Sequence, residues 1–336
     1  MRKQTTRLAA LVAVTGASLA LSACGGVKST SGGGGGGGSD YPSGAVQMFV
    51  GASAGGSSDL ISRAVSKGLS DALGAAFPVI NREGANGALA AAQVSKAKPD
   101  GQTIAIQNAS LFVITPLAVS ANEVTNLDDF DVVEGVSRDD YVLVTNPKSG
   151  YRSLDDIKAA TKKITYGTSG VGTGAQLSCA LTYESAGVKS EAVPFDGGAP
   201  TLTAVLGNQV DTACMQVGEA IENIKSGKLV PLSVFGSQRV GYLPDVPTAK
   251  EQGLDVEVAQ YRFLTVPKGT SQDVEDSLRT GMQSTFKTAE YKSFNKQNSL
   301  TPMEVSGDEV KAQLEKDKQR YADLVKKYGV DLGSSS

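Results

Sequence analysis

Residues 50–65 read VGASAGGSSDLISRAV. Gly51, Gly55 and Gly56 make a small-residue turn, Ser57, Ser58 and Asp59 are helix-capping types, and Leu60, Ile61, Ala64, Val65 and Leu69 follow at helical spacing. The stretch predicts a strand end, a turn and a helix start. A helix start presents unpaired N–H groups and the positive end of the helix dipole, which together favour anions. The pattern returns in ITYGTSGVGTGAQLSCAL, residues 164–181, where Ser169, Gly170, Val171, Gly172 and Thr173 occupy the turn. In open α/β sheets such turns sit at the carboxyl ends of strands, where ligands bind. Two of them facing across a cleft would hold a molecule acidic at both ends, its carboxylates accepting charge-assisted backbone hydrogen bonds. Either stretch alone is more commonly an ordinary turn and cap.

Other chemistry has little to stand on. The chain has no histidine, which excludes Ser-His-Asp and Cys-His catalysis and every histidine-containing metal site. GTSGV at 167–171 misses the G-x-S-x-G elbow at its last position, and the S-x-x-K matches at 95–98 and 293–296 lack their companion motifs. Gly170, Gly172 and Ala175 satisfy G-x-G-x-x-G/A, with Glu191 near the place of a ribose-binding acid, so an exported dinucleotide-dependent oxidoreductase is the rival reading. Glu191 reads as the start of a strand rather than its end, and no twin-Arg signal marks export of a folded cofactor enzyme. No cofactor and no metal are expected. Cys179 and Cys214 are open to two readings, a disulfide or two buried free thiols, and are too few for zinc.

The elements that must position the turns alternate. AVQMFV, a helix over 58–73, FPVIN, a helix over 87–97 and QTIAIQ are followed by KITYGT, a helix over 174–186, EAVPF, a helix over 198–206, QVDTACM and LVPLSVF. This is the rhythm of α/β units with parallel strands. From Gly307, Val310, Leu314, Tyr321, Leu324, Val325 and Tyr328 share one face of a closing amphipathic helix.

At the N-terminus, MRKQTTR is basic, LAALVAVTGASLAL is apolar but shorter than the roughly 20 residues of a membrane span, and LSAC ends at Cys24. The cluster resembles a bacterial lipobox, which implies a signal peptide over 1–23 and a lipid on Cys24. Residues 25–40 form a glycine- and serine-rich tether of about 20–24 Å as a coil. Loss of residues 1–23 removes Arg2, Lys3 and Arg7 and no acid, moving the net charge from -3 to -6. That balance disfavours nucleic acid as a partner. The roughly 290 residues that remain predict two lobes.

AGGSSDLISRAV, NREGANGALAAAQVSKAKPDGQTI, YGTSGVGTGAQL, VPFDGGAPTLTAVLGNQVD, SGKLVPLSVFGSQRVGYLPDVPTAKEQG and LTVPKGT together resemble, in order, the substrate-binding proteins of tripartite tricarboxylate transporters, the TctC or Bug family. The resemblance implies a two-lobed type II periplasmic-binding-protein fold of α/β class with a central ligand cleft. It also implies a monomer that captures a small di- or tricarboxylate-like ligand outside the cytoplasm, lipid-anchored, and delivers it to the large and small membrane subunits of a permease, without catalysis. Lobe one would hold residues 45–142 plus 260–332, lobe two residues 143–259, and residues 24–44 the lipidated cysteine and tether. A carboxylate sensor for a signalling partner is a further alternative.

Carried over by position, Ala54, Gly55, Gly56 and Ser57 would be the first-lobe loop that meets one carboxylate, with Asp59 capping and orienting it and Arg63 in a surface or inter-helix ion pair. Residues 169–173 would be the second-lobe loop, with Phe195, Asp196 and Gly197 as the wall beside it. Three departures stand out. Gln176 replaces a frequent histidine and cannot become cationic. Asp196 would repel a highly charged ligand. Arg262, in YRF where relatives have Trp-x-Gly, either reaches a ligand carboxylate or forms a salt bridge at the rim.

Overall fold

The computed structural model describes residues 41–333. The expected signal peptide, Cys24 and most of the expected tether lie outside the described residues. The strands are β1 (Gln47–Val50), β2 (Val79–Asn81), β3 (Thr103–Asn108), β4 (Phe130–Thr145), β5 (Ile164–Thr168), β6 (Ser190–Pro194), β7 (Thr212–Gln216), β8 (Val230–Val234), β9 (Ala259–Pro267) and β10 (Thr301–Pro302). The α-helices are α1 (Ser57–Leu73), α2 (Ala88–Ser95), α3 (Ala109–Val113), α4 (Leu154–Lys158), α5 (Gly174–Ala186), α6 (Gly198–Leu206), α7 (Val217–Lys225), α8 (Gln272–Lys287), α9 (Ala289–Gln297) and α10 (Gly307–Tyr328).

The sheet is mixed and ordered β2-β1-β3-β9-β4-β7-β5-β6. It has two parallel groups. β1 pairs in parallel with β2 and β3, and β5 pairs in parallel with β6 and β7. The expected parallel order therefore describes each group, while the join is antiparallel: β9 runs against β3 and β4, and β4 runs against β7 and β8. β4 belongs to both groups, pairing with β9 over 130–140 and with β7 and β8 over 141–145.

Burial explains the arrangement. The central positions of β3 are buried without alternation, as in a parallel strand covered on both faces. Met48, Ile104 and Leu264 pack with Ile61, Val65, Leu278 and Met282 in one core of the first group. Val142, Ala213 and Met215 pack with Val205 and Ile221 in a core of the second. A third core holds Phe112 and Phe263 from the first group, Leu143, Leu177 and Leu181 from the second, and Leu314 and Tyr321 from α10. The closing helix thus contributes to a core shared by both groups. It starts at a capping box in which Ser306 Oγ accepts from the Glu309 N–H at 3.3 Å.

Cys179 on α5 and Cys214 on β7 are bonded, their Cα atoms 5.8 Å apart. The bridge closes a segment of 35 residues, and loop-closure entropy puts its worth at roughly 4 kcal/mol. Thiol titration of denatured, unreduced protein should find neither cysteine free, and reduction should lower the unfolding midpoint. Two free thiols at these positions would contradict the bond.

Candidate functional site

The carboxyl ends of β1, β2 and β3 lead into one set of loops, and those of β5, β6 and β7 into another. In the first set, the turn before α1 is held from inside. Asp59, 1% exposed, accepts from the Gly55 N–H at 2.8 Å and from Asn81 Nδ2 at 2.8 Å, while Asn81 also donates to the Ala52 carbonyl at 2.8 Å. Arg63 pairs with Asp59 at 2.9 Å. Burial alone would raise the Asp59 carboxyl, but donors from Arg63, Gly55 and Asn81 hold it below its ordinary value. Asp59 is thus the clamp of the turn and Arg63 its half-exposed counter-ion.

Gly55 is exposed with φ of 81°, a left-handed conformation that glycine adopts freely. The turn consumes the two amides that sequence made foremost: Gly55 donates to Asp59 and Gly56 donates to the Ser53 carbonyl at 3.0 Å. α1 has no side-chain cap, and its first backbone bond is from Leu60 N–H to the Gly56 carbonyl at 3.0 Å. The N–H groups of Ser57, Ser58 and Asp59 are left unused by the helix and, with the Ser57 hydroxyl, follow directly on Ala54, Gly55 and Gly56.

Beneath this helix start is Arg262, 0% exposed. Its Nε donates to Ser58 Oγ at 2.7 Å, its Nη1 to Asp139 Oδ2 at 2.5 Å, and its Nη2 to Ser57 Oγ at 3.1 Å and Gln216 Oε1 at 2.9 Å. The residue forms no rim salt bridge, because β9 runs between β3 and β4 and buries it opposite Asn108 and Ser137. Its carboxylate partner is Asp139 of the same chain. One guanidinium thereby ties α1 to the end of β7 and places a cation under the donors of α1.

In the second set of loops, Thr173 caps α5, accepting from the Gln176 N–H at 3.3 Å and donating to the Gly170 carbonyl at 2.8 Å. Gln176 is buried, with both ends of its amide taken: Oε1 accepts from the Gly172 N–H at 2.7 Å, and Nε2 donates to the Leu332 carbonyl at 3.2 Å. It shapes the loop and anchors the C-terminal tail. The Gly172 carbonyl accepts from Asn86 Nδ2 at 3.0 Å and Thr115 Oγ1 at 3.1 Å, joining this loop to the first group. Ser169 and Gly170 are partly exposed, Val171 is exposed, and Asp196 stands exposed between half-buried Phe195 and Gly197. Asn86, Thr115, Asp139, Gln216 and Glu219 were not singled out from sequence. Only Asn86 carried a local signal, an asparagine in a glycine-flanked turn, and it has φ of 52°. Glu219, in the first turn of α7, is half-buried and packs on Gly198.

Glu191 lies at the amino end of β6, opposite Thr165 at the amino end of β5, and pairs with Lys163 at 2.8 Å. It is at the wrong end of its strand to meet a ribose at the glycine turn.

Residues 61–330 match the family described as tripartite tricarboxylate transporter family receptor. The chain belongs to this receptor family. A relative from Agrobacterium vitis, the UPF0065 protein in the TAR-I ttuE-ttuC' intergenic region, is 32% identical over 61% of the chain and 60% of its own length. Protein BugT of Bordetella pertussis is 28% identical over 75% of the chain and 79% of its own length. Among solved structures, periplasmic binding protein BugD superposes with a TM-score of 0.79 at 28% identity, covering 87% of the chain and 99% of BugD. R. palustris Rpa4515 with adipate has a TM-score of 0.81 at 24% identity over 87% of the chain and 99% of its own, a likeness of fold. The chain therefore has the two-lobed fold of periplasmic binding proteins, and its family and neighbours are solute-binding proteins. Among its described residues no helix is long and apolar enough to cross a membrane.

Proposed function

We propose that the protein captures a small carboxylate between the two sets of loops and delivers it to the membrane subunits of a tripartite transporter, without catalysing a reaction. One observation carries this reading: an uncapped helix start, with the N–H groups of residues 57–59 unused by the helix, backed by the buried guanidinium of Arg262. Residues 169–173 supply the opposing grip. The lobes divide where β4 changes partners, after Asp140, and where β9 begins, at Ala259. These two crossings are the hinge about which the lobes close. LSAC at Cys24 supports a lipid anchor outside the cytoplasm.

A thermal-shift screen of mono-, di- and tricarboxylates, sugars, nicotinamide dinucleotides and simple amines tests the reading. A ligand at one hundred times its Kd stabilises the fold by about 2.7 kcal/mol, or roughly 5 °C or more for a chain of this size. Shifts are expected with carboxylates alone, citrate trailing smaller acids because Asp196 stands exposed beside the second loop. A sugar or dinucleotide giving the largest shift would overturn it.

A further inference from the structure

We propose that a second ligand site lies behind the strand crossing, apart from the cleft and independent of what the cleft holds, and that it takes a small uncharged carbonyl compound such as a lactone. Asp139 of β4 and Arg262 of β9 turn toward the start of α1. Alternation along the strands turns their neighbours the other way, Arg138 opposite Tyr261 and Asp140 opposite Ala259. On that second face β4, β9, α10 and the segment at Pro302 and Met303 enclose a cavity of about 110 Å³. A dry cavity of about 150 Å³ holds benzene. The smaller space here suits a compact ring bearing one polar group.

The polar groups of the wall have donors to spare. Tyr261 is 3% exposed; burial, then the nearby Asp317 carboxylate, raises its phenol above the ordinary value, yet no described group is placed to hydrogen-bond its hydroxyl. Arg320 reaches Glu257 only at 3.4 Å through Nη1, and its buried Nη2 has no partner. Arg138 meets Asp140 at 3.5 Å. Tyr321 accepts from the Ala259 N–H at 3.5 Å and keeps its own proton to give. The acids of the wall are engaged at shorter range, Glu257 Oε2 accepting from Lys250 at 2.7 Å and Asp317 Oδ2 from Gln313 at 2.9 Å. Charge is balanced, the guanidiniums of Arg138 and Arg320 against the carboxylates of Glu257 and Asp317. An anion would meet the two acids and a cation the two arginines. A carbonyl oxygen can accept from Tyr261 and Arg320 without adding charge, and the rest of a small ring packs on Pro302, Met303 and the Tyr321 ring.

NMR of the protein titrated with γ-butyrolactone, and separately with butyrate and pyrrolidine as anionic and cationic counterparts, reads the site. The lactone should give saturable intermolecular NOEs to the Met303 methyl group, and should bind there at least about tenfold more tightly than either charged compound. Tyr261→Phe should weaken the lactone by about threefold to tenfold, the worth of one hydrogen bond. The same variant should melt no lower than the unsubstituted protein, because it removes a buried hydroxyl that has no partner. A fall in its Tm of more than about 3 °C would show that the hydroxyl is bonded within the protein and overturn the proposal. Undiminished lactone affinity in Tyr261→Phe would do the same. In the unsubstituted protein, butyrate or pyrrolidine matching the lactone at Met303 would overturn it, as would NOEs from none of the three, the result if the cavity holds water alone. None of these outcomes touches the carboxylate reading of the cleft.

Discussion

Arg262→Met should destabilise the protein by about 3–5 kcal/mol, because it strips the partner from a buried carboxylate. For a chain of this length that is a fall in Tm of roughly 6–15 °C by calorimetry. Arg262 is fully buried and Asp139 is 4% exposed, with one oxygen already lacking a partner. Without the guanidinium, Asp139 must ionise unpaired or take up a proton, and Ser57, Ser58 and Gln216 lose a shared donor. Adding Asp139→Leu should recover much of the loss, since replacing both members of a buried pair is tolerated far better than removing one. A Tm within about 2 °C of the unsubstituted protein for Arg262→Met alone would show that the pair carries little.

The second large effect falls on binding. Gly172→Ala should weaken carboxylate affinity by about tenfold to a hundredfold. Gly172 has φ of 70°, where a side chain costs roughly 1–2 kcal/mol. Its added carbon would also lie 2.9 Å from the Thr115 Cα, a backbone atom that no rotamer change can move away. The second loop must retreat, taking its carbonyl from Asn86 and Thr115 and loosening the only described tie between that loop and Thr115. Gly55→Ala is the control: φ is 81° but the space around it is open, so it bears the backbone strain without a collision. Affinity for the tightest carboxylate within about twofold of the unsubstituted protein in Gly172→Ala would remove this loop contact from the account.

How far these positions can be read from sequence depends on how local their causes are. α5 and α6 run over 174–186 and 198–206 as the periodicity predicts, and α10 starts at Gly307, because caps and apolar stripes lie within a few residues of each other. β4 is different. In FDVVEGVSRDDYVLVT the polar run Ser137, Arg138, Asp139 and Asp140 interrupts the apolar pattern of a strand, yet it is where the chain crosses from one group to the other. Asp139 is acceptable there only because Arg262, more than a hundred residues later in sequence, arrives beside it. The burial of Arg262 is for the same reason invisible locally. Gln176 shows both cases, a local bond to Gly172 and a bond to Leu332 that only the folded chain brings near. The turn at 50–56 was legible as a turn, but which of its N–H groups it would use up depends on the direction of the Asp59 side chain and on Asn81 from the neighbouring strand.

In the proposed function a carboxylate is held by backbone donors at the start of α1 and gripped from the second loop. Amide NMR of the protein, titrated with the tightest-binding carboxylate of the thermal screen, tests this most directly. The N–H resonances of Ser57, Ser58 and Asp59 should move most, downfield as they take up a charged acceptor, together with those of residues 169–173, while those of Gly55 and Gly56, already engaged within the turn, should move less. Saturable shifts that leave residues 57–59 and 169–173 unmoved would contradict it.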